Sequence, residues 1–306
     1  MKLFKLSILI VGFVFMLQSC NNDSDVDENQ NEVTPSFSSY KTISSSNYTD
    51  SNSSLHNTYE SVMTTNIVNN KLSSSMNEVF VNGISQGITT FDYFTYNNGL
   101  VISDSDGVNS KDFFYNATND LIGLNWNRVG NGSVDVMHYR YVYVSTSIVY
   151  LERIDLPYDN PQAVILKRSI LKFDENDNVV EAGVDFDLNG QMDSVNQFTY
   201  LNGNMVAIHK GNGQVLNFQF SNVIDNLLFL KDNSYGKKMH RLINAECFSV
   251  VANDSYFSKN LLQQNVNEEV YEVLSNGFYK KKTKTITFSD PVYTANNTTT
   301  TEFFFN

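Results

Sequence analysis

Short runs of alternating hydrophobic and polar residues follow one another along most of the chain. Such alternation predicts β-strands that bury one face. The rhythm is most regular in residues 171–229, where pairs such as Asn202-Gly203 and Asp225-Asn226 separate the runs. Asn, Asp and Gly tolerate the positive φ angles that tight hairpin turns need. The pattern therefore predicts a ladder of β-hairpins.

Residues 134–151 carry the strongest strand pattern. Met137, Tyr139, Tyr141 and Tyr143 alternate with other residues, among them His138, so we expect these four side chains to share one buried face. Tyrosine and β-branched residues also favour strands. The length of the segment and its central place in the chain indicate an interior pair of strands.

Residues 232–262 interrupt the alternation. Within them, residues 237–246 contain helix-forming residues with apolar side chains at Met239, Leu242 and Ile243, which predicts one short helix. Strands and helices do not alternate along the chain, and this argues against a parallel α/β fold. The predicted fold class is all-β, an antiparallel meander of repeated hairpins that curls into a half-shell or open barrel.

The first and last segments of the predicted domain differ in their sequence patterns. Residues 37–55 are rich in Ser, Thr and Asn and weakly patterned, which is compatible with a first edge strand or with more linker. The segment Thr298–Phe305 ends in three phenylalanines, and we expect it to pair into the sheet. Nothing in the composition divides residues 37–306, so they are predicted to form a single domain.

The N-terminus has the features of a secretory signal. Lys2 and Lys5 precede an apolar run over residues 6–17, and this run is too short for the roughly 20 residues of a transmembrane helix. Because the segment ends at Cys20, it resembles a bacterial lipoprotein signal. The resemblance implies cleavage after residue 19 and lipidation of Cys20, with plain secretion as the alternative.

Residues 20–36 are acidic, polar and almost free of large apolar side chains. They cannot bury enough surface to fold, so a disordered tether is predicted. An acidic stretch after the lipidated cysteine also resembles the surface-export signal of Bacteroidota lipoproteins, while a simple spacer is the alternative. The resemblance implies an outer-membrane location, with a lipid anchor as the contact with the membrane and the domain facing outward.

Charge and cysteine content narrow the function classes. The formal net charge of −12 argues against a nucleic-acid partner, which requires a basic surface. The short basic run over residues 280–284 is typical of a protected strand edge. If Cys20 carries lipid, Cys247 has no partner for an intramolecular disulfide, and its apolar neighbours predict a buried thiol.

Four oxygen-bearing residues have the spacing of the first nine positions of a calcium-binding loop. They are Asp185, Asp187, Asn189 and Asp193. The twelfth position is Asn196, where a bidentate Glu is expected. A hairpin turn whose side chains bond their own backbone is the alternative. Calcium and a metal-free turn both stay open at this point, and no other cofactor is predicted.

Catalytic motifs are not found in the sequence. Neither the spacing of a zinc site nor a Gly-x-Ser-x-Gly elbow nor a phosphate-binding loop occurs, and the Asp104–Gly107 segment has the composition of a short acidic turn. A carboxylate pair for glycoside hydrolysis can come from distant strands. The acidic residues first considered for such a pair are Glu152, Asp155, Glu181 and Asp185.

Aromatic residues offer a second kind of site. Tyrosine and tryptophan can line a sugar-binding face, although packing between strands explains their abundance equally well. The residues considered for such a face are Trp126, Tyr139, Tyr141, Tyr150 and Tyr158.

Two stretches carry a resemblance to a known family. In residues 186–192 and 200–205 an aromatic residue is followed, after one or two residues, by Asn-Gly and then by a methionine two places on. This unit resembles the YD (Rhs-like) repeat, and the order of segments over residues 59–306 is similar to that of repeat-bearing Bacteroidota lipoproteins of unknown function. The resemblance implies an all-β shell and a surface lipoprotein, and it transfers no catalytic residues.

These observations favour a non-enzymatic, surface-displayed outer-membrane lipoprotein that binds a glycan or another envelope protein. A glycan-processing hydrolase with a carboxylate pair on the concave face of the sheet is one alternative. A purely structural envelope protein is the other.

Overall fold

Twenty strands and two helices make up the described part of the chain, a computed structural model. The structure describes residues 34–50, 56–130, 133–245, 257–263, 269–289 and 293–306. The predictions for the signal peptide, for Cys20, for most of the tether and for Cys247 lie outside these residues.

The elements are numbered in chain order. The first four strands are β1 (Phe37–Asp50), β2 (His56–Val68), β3 (Lys71–Val81) and β4 (Ile84–Asp92). The next eleven are β5 (Phe94–Asn97), β6 (Leu100–Ser105), β7 (Ser110–Tyr115), β8 (Leu121–Gly130), β9 (Ser133–Tyr143), β10 (Ile148–Ile154), β11 (Ile165–Phe173), β12 (Val179–Asp185), β13 (Ser194–Leu201), β14 (Asn204–His209) and β15 (Val215–Asn217). The last elements are β16 (Phe220–Ile224), α1 (Asn226–Tyr235), α2 (Lys237–Ile243), β17 (Asn260–Leu262), β18 (Val270–Val273), β19 (Tyr279–Ser289) and β20 (Tyr293–Phe305).

The strands form two large antiparallel sheets and one small one. The larger sheet has 11 strands, β5 to β15, in which each strand pairs with its neighbour in the chain. The second sheet has seven strands in the order β18-β19-β20-β1-β2-β3-β4, and β16 pairs with β17. Both large sheets are open, with β5 and β15 at the edges of the larger one. The predicted all-β antiparallel meander is confirmed.

Asparagine-based turns connect many of these strands, as the sequence predicts. At Asn202-Gly203 the φ angles are 52° and 79°, and positive values at both central residues define the tight turn that matches the twist of a hairpin. Three further turns have positive φ at both positions, namely Asn69-Asn70, Asn82-Gly83 and Asn98-Gly99. These residues are therefore required by the backbone geometry.

The first strand is longer and more central than the sequence pattern indicates. β1 lies between β20 and β2, with Thr42 opposite both Thr301 and Met63. The expectation of an edge strand or further linker over residues 37–55 is wrong for the described residues. Its partner β20 lies at the other end of the chain, so the segment that completes the pairing is remote in sequence. The expectation that the final segment pairs into the sheet is confirmed.

Two helices occur where one was predicted. α2 matches the expected helix, although it ends at Ile243, whereas α1 was not predicted. Asp225, expected to form a hairpin turn with Asn226, instead caps α1, since its carboxylate accepts hydrogen bonds from the amides of Leu227 and Leu228 at 3.0 and 3.1 Å. A side-chain acceptor at this position satisfies the free amides of the first helical turn.

Helix α1 lies between the two large sheets and contacts both. The Ser234 hydroxyl accepts a hydrogen bond of 2.9 Å from the Leu72 amide of β3, and Leu228 and Leu230 are buried. The predicted buried face of β9 is confirmed, because Met137, Tyr139 and Tyr141 belong to the core and half-buried Tyr143 packs against it. Within the described ranges, no helix has the length and apolar character needed to cross a membrane.

Candidate functional site

Five side chains form a row across the helix-facing side of the larger sheet. Residues directly opposite each other in antiparallel strands share a face of the sheet. The strand register places the following residues side by side on β5 to β9: Phe94, Asp104, Lys111, Trp126 and Met137. Buried Met137 marks this face as the one that packs against the core.

A cavity of about 250 Å³ lies between this row and the two helices. The sheet contributes the aromatic ring of Trp126, and α1 contributes Lys231 and Tyr235. Polar side chains complete the lining, among them Asn109 and Asn244. A concave site with aromatic walls and a few convergent polar groups is typical of small-molecule binding.

Asp104 is the acidic group of the row. Its carboxylate accepts a hydrogen bond from the phenol of Tyr235 and lies 3.6 Å from the ammonium of Lys111. Burial raises the pKa of Asp104 above its ordinary value, although Lys111 and Tyr235 act in the opposite direction. Both of its neighbours therefore stabilise the ionised carboxylate within a partly desolvated site.

The ring of Trp126 lies beside two cations. The Lys111 ammonium is 5.5 Å from the ring centroid, and the Arg128 guanidinium carbon is 5.2 Å away. At these distances the negative face of the ring attracts a cation. Trp126 is the only tryptophan of the chain, so its indole is a unique marker of the cavity.

Lys231 is the charged lining residue without a hydrogen bond or ion pair to any described residue. Burial lowers the pKa of Lys231, and the positive charge of Lys111 lowers it further, while Asp225 and Asp104 raise it through longer-range attraction. The ammonium therefore lacks a direct counterion within the part of the chain that the structure describes.

The floor formed by the helices is held by a buried charge cluster. Asp232 accepts hydrogen bonds from Arg241 at 2.9 Å and contacts the imidazole Nδ1 of His240 at 2.6 Å. The Arg241 guanidinium also lies 4.6 Å from the ring centroid of Phe257. Burial lowers the pKa of His240 below 6.5 despite the attraction of Asp232. His240 therefore adds no positive charge to the cavity at neutral pH.

The Asp104–Gly107 segment, where β6 ends, has two carboxylates in different environments. Asp106 accepts hydrogen bonds from the amides of Val108 and Asn109 at 2.9 and 2.7 Å. Although burial raises the pKa of Asp106, hydrogen bonds to Asn109 and Val108 lower it below the ordinary value. The sequence interpretation as a turn holds for Asp106, but it missed that Asp104 faces the cavity.

The opposite face of the same sheet carries a row of alternating charges. Glu152 of β10 lies between Arg140 of β9 and Arg168 of β11, at 2.6 and 2.7 Å. Arg168 also contacts Asp185 of β12 at 3.0 Å. The side chains of Glu152 and Asp185 are only 3% and 0% exposed, so this row is a buried ion-pair network.

The four acidic residues considered for catalysis all have partners within the protein. Glu152 and Asp185 are brought together, but Arg168 lies between them and neutralises both. Asp155 accepts a hydrogen bond of 2.7 Å from the Val164 amide, and Glu181 pairs with Lys172 at 2.5 Å. None of the four lines the cavity.

The loop considered for calcium binding brings three carboxylates together. Oxygen atoms of Asp185, Asp187 and Asp193 lie within 4.8 Å of one another. Asp185 accepts hydrogen bonds from the Asn189 and Gly190 amides at 3.0 and 2.9 Å, in addition to the contact with Arg168. Although burial raises the pKa of Asp185, these partners lower it below the ordinary value.

The other two carboxylates of the loop also bond the local backbone. Asp187 accepts from the Asn189 amide at 3.2 Å, and Asp193 accepts from the Phe186 amide at 2.6 Å. The side-chain oxygen of Asn189, the fourth candidate calcium ligand, accepts a hydrogen bond from the Gln191 amide at 2.8 Å. These bonds are those of the metal-free turn considered as the alternative to a calcium loop.

The aromatic residues considered for a sugar-binding face lie in different environments. Tyr139 and Tyr141 are buried in the core. Tyr150 lies under the guanidinium of Arg168, 5.0 Å from its ring centroid. Tyr158 packs over Gly123, where an added Cβ would come within 2.4 Å of its ring. Of the five, Trp126 alone lines the cavity.

Comparison with known proteins does not assign the chain to a family. No protein-family model matches the chain, and no curated protein matches it. A porin-like protein from Bacteroides uniformis overlaps 89% of this chain and 98% of its own, with 10% sequence identity and a TM-score of 0.26. That score is too low to carry an argument about fold or function. The resemblance to YD repeats accordingly has no family match behind it.

Proposed function

We propose that the protein is a non-enzymatic, lipid-anchored surface protein that binds a glycan through the cavity beneath α1 and α2. The anchor and the outward display rest on the sequence resemblance around Cys20. The observation that supports glycan binding is the placement of Trp126 in a cavity that also exposes hydroxyl, amide and charged groups.

The size of the cavity supports a small ligand rather than a protein surface. Sites for drug-sized ligands enclose about 300–1,000 Å³, and a cavity of about 250 Å³ suits a single sugar unit. An indole ring offers a flat apolar surface, while the Ser110 hydroxyl accepts a hydrogen bond from Asn127 and still has its own proton to donate. This combination matches the two kinds of surface that a pyranose presents.

Calorimetric titration of the domain with a panel of monosaccharides and short glycans tests this proposal. Trp126→Ala should abolish binding, whereas Tyr158→Ala, an aromatic truncation on the opposite face of the sheet, should retain it. Both variants need an unchanged circular dichroism spectrum. Binding that survives in Trp126→Ala at wild-type affinity would place the glycan elsewhere.

A hydrolase is the second candidate, and one observation favours it. Asp104 and Asp106 line the same cavity, with the pKa of Asp104 raised and that of Asp106 lowered. Two carboxylates with separated pKa values are typical of an acid and its ionised partner. Reducing-end release from the same glycans, lost in Asp104→Asn, would replace the binding proposal by this one.

A further inference from the structure

The charged groups that line the cavity differ in their hydrogen-bond and ion-pair partners. Asp104 is hydrogen-bonded by Tyr235 and paired with Lys111. Asp106 bonds the amides of its own turn. Lys231 has only long-range attraction to carboxylates among the described residues. The cavity therefore holds one cation whose direct partner is missing from the described structure.

We infer that the ligand is an anionic sugar whose negative group pairs with Lys231, a conclusion that rests on the proposed function. A desolvated charge without a partner is costly, because the protein interior replaces little of the hydration that is lost. A bound carboxylate would restore the missing pairing. The same ligand would keep its ring against Trp126.

The surroundings of Lys231 favour an anion over a cation or a neutral group. Lys111 of β7 is a second ammonium on the wall, and burial keeps His240 of α2 neutral. The carboxylates that raise the pKa of Lys231 are Asp225 before α1 and Asp104 of β6. Asp104 already has two partners, and Asp225 caps the helix. A cationic ligand would thus meet two ammonium groups, and the remaining carboxylate of the lining, Asp106, already accepts hydrogen bonds from the amides of Val108 and Asn109.

The proposed pairing with Lys231 also defines where the negative group of the sugar would lie within the cavity. Lys231 belongs to α1, and Trp126 belongs to β8 on the facing wall. A hexuronic acid has its carboxylate at one edge of the ring. That edge would face the helix while the ring lies along the sheet.

Glucuronate, glucose 6-sulfate and glucose differ in one substituent, so they separate the charge from the sugar ring. We expect glucuronate to bind the wild-type protein about tenfold more tightly than glucose, the size of a charged hydrogen bond. Glucose 6-sulfate shows whether any anion at that edge suffices or a carboxylate is required. The affinity of glucuronate should fall with rising salt, and that of glucose should not.

Lys231→Met should remove the preference for glucuronate over glucose. Lys238→Met is the matched control, because the Lys238 ammonium bonds the Thr146 carbonyl oxygen at 2.5 Å outside the cavity lining. Lys231→Met removes a charge without a direct partner, so it is expected to fold. Lys231→Gln provides a second variant, and the salt dependence requires no variant.

The outcomes separate the inference from the proposed function. Equal binding of glucose and both anionic sugars by the wild type would overturn the inference and leave the glycan site standing. A preference that persists in Lys231→Met would also overturn it. Failure of every sugar to bind would overturn the proposed function itself.

Discussion

The phenolic hydroxyl of Tyr235 donates a hydrogen bond to the carboxylate of Asp104. This contact joins α1 to β6 at the wall of the cavity, across 131 positions of sequence. Ser234, the preceding residue, bonds β3 of the other large sheet. Two adjacent residues of α1 therefore connect the helix to both sheets, and the cavity depends on their placement.

Tyr235→Phe should destabilise the protein by about 1–3 kcal/mol, because it removes a buried hydrogen bond to a charged group. Urea denaturation measures the change. Tyr59→Phe is the control, since Tyr59 is 48% exposed, and it should change stability by less than about 0.5 kcal/mol. Equal effects of the two substitutions would show that the contact does not hold the helix.

Glu152→Gln should cost about 3 kcal/mol or more, because it leaves Arg140 and Arg168 without their shared buried counterion. The control is Glu181→Gln. Its partner Lys172 is 45% exposed, and such surface pairs contribute about 0–1 kcal/mol. The unfolding free energies of the two variants, measured in urea, should differ clearly. A small effect at Glu152 would mean that the row is not a stabilising network.

Calcium should not stabilise the domain, because the carboxylates of the Asp185–Asp193 loop already bond Arg168 and local amides. Thermal melts with millimolar calcium and with a chelator are expected to overlay. Saturation at about a hundred times the dissociation constant would add roughly 2.7 kcal/mol. A calcium-dependent rise of several degrees that Asp187→Ala removes would identify a metal site.

Cys20→Ala should release the protein from membranes and abolish incorporation of labelled lipid, since the sequence around Cys20 resembles a lipoprotein signal. Fractionation of cells that express the full chain measures the distribution. Cys247→Ala is the matched control and should leave the protein in the membrane fraction. Retention of the Cys20→Ala protein in membranes would exclude lipidation at this cysteine as the anchor.

Local features of the fold follow well from the sequence. Turns such as Asn202-Gly203 are specified by two residues whose backbone preferences are strong, and the buried face of β9 is visible as a period of two. Both signals lie within about ten residues of chain. The all-β class and the meander could therefore be predicted.

Long-range features could not be predicted in the same way. β1 pairs with β20 from the far end of the chain, and its Ser- and Thr-rich sequence has little hydrophobic contrast. Helix α1 was missed because Asp225-Asn226 fits a turn as well as a helix cap. Once α1 is missed, Lys231 and Tyr235 cannot be placed in a site.

The charged rows depend on strand register, which single residues do not reveal. Arg140, Glu152, Arg168 and Asp185 alternate in charge only when four strands are aligned. The sequence identifies Glu152 and Asp185 as acidic groups to consider, but it does not show the arginines between and beside them. Trp126 was identified as an aromatic candidate, and its neighbours in the cavity were not.

The intrinsic fluorescence of Trp126 tests the central claim most directly, because the chain has one tryptophan and it lines the cavity. Titration with glucuronate should change the emission saturably, with the same midpoint as calorimetry on the same sample. Trp126→Phe removes the signal and controls for inner-filter effects. Calorimetric binding of glucuronate with unchanged Trp126 emission would contradict the assignment of the cavity as the ligand site.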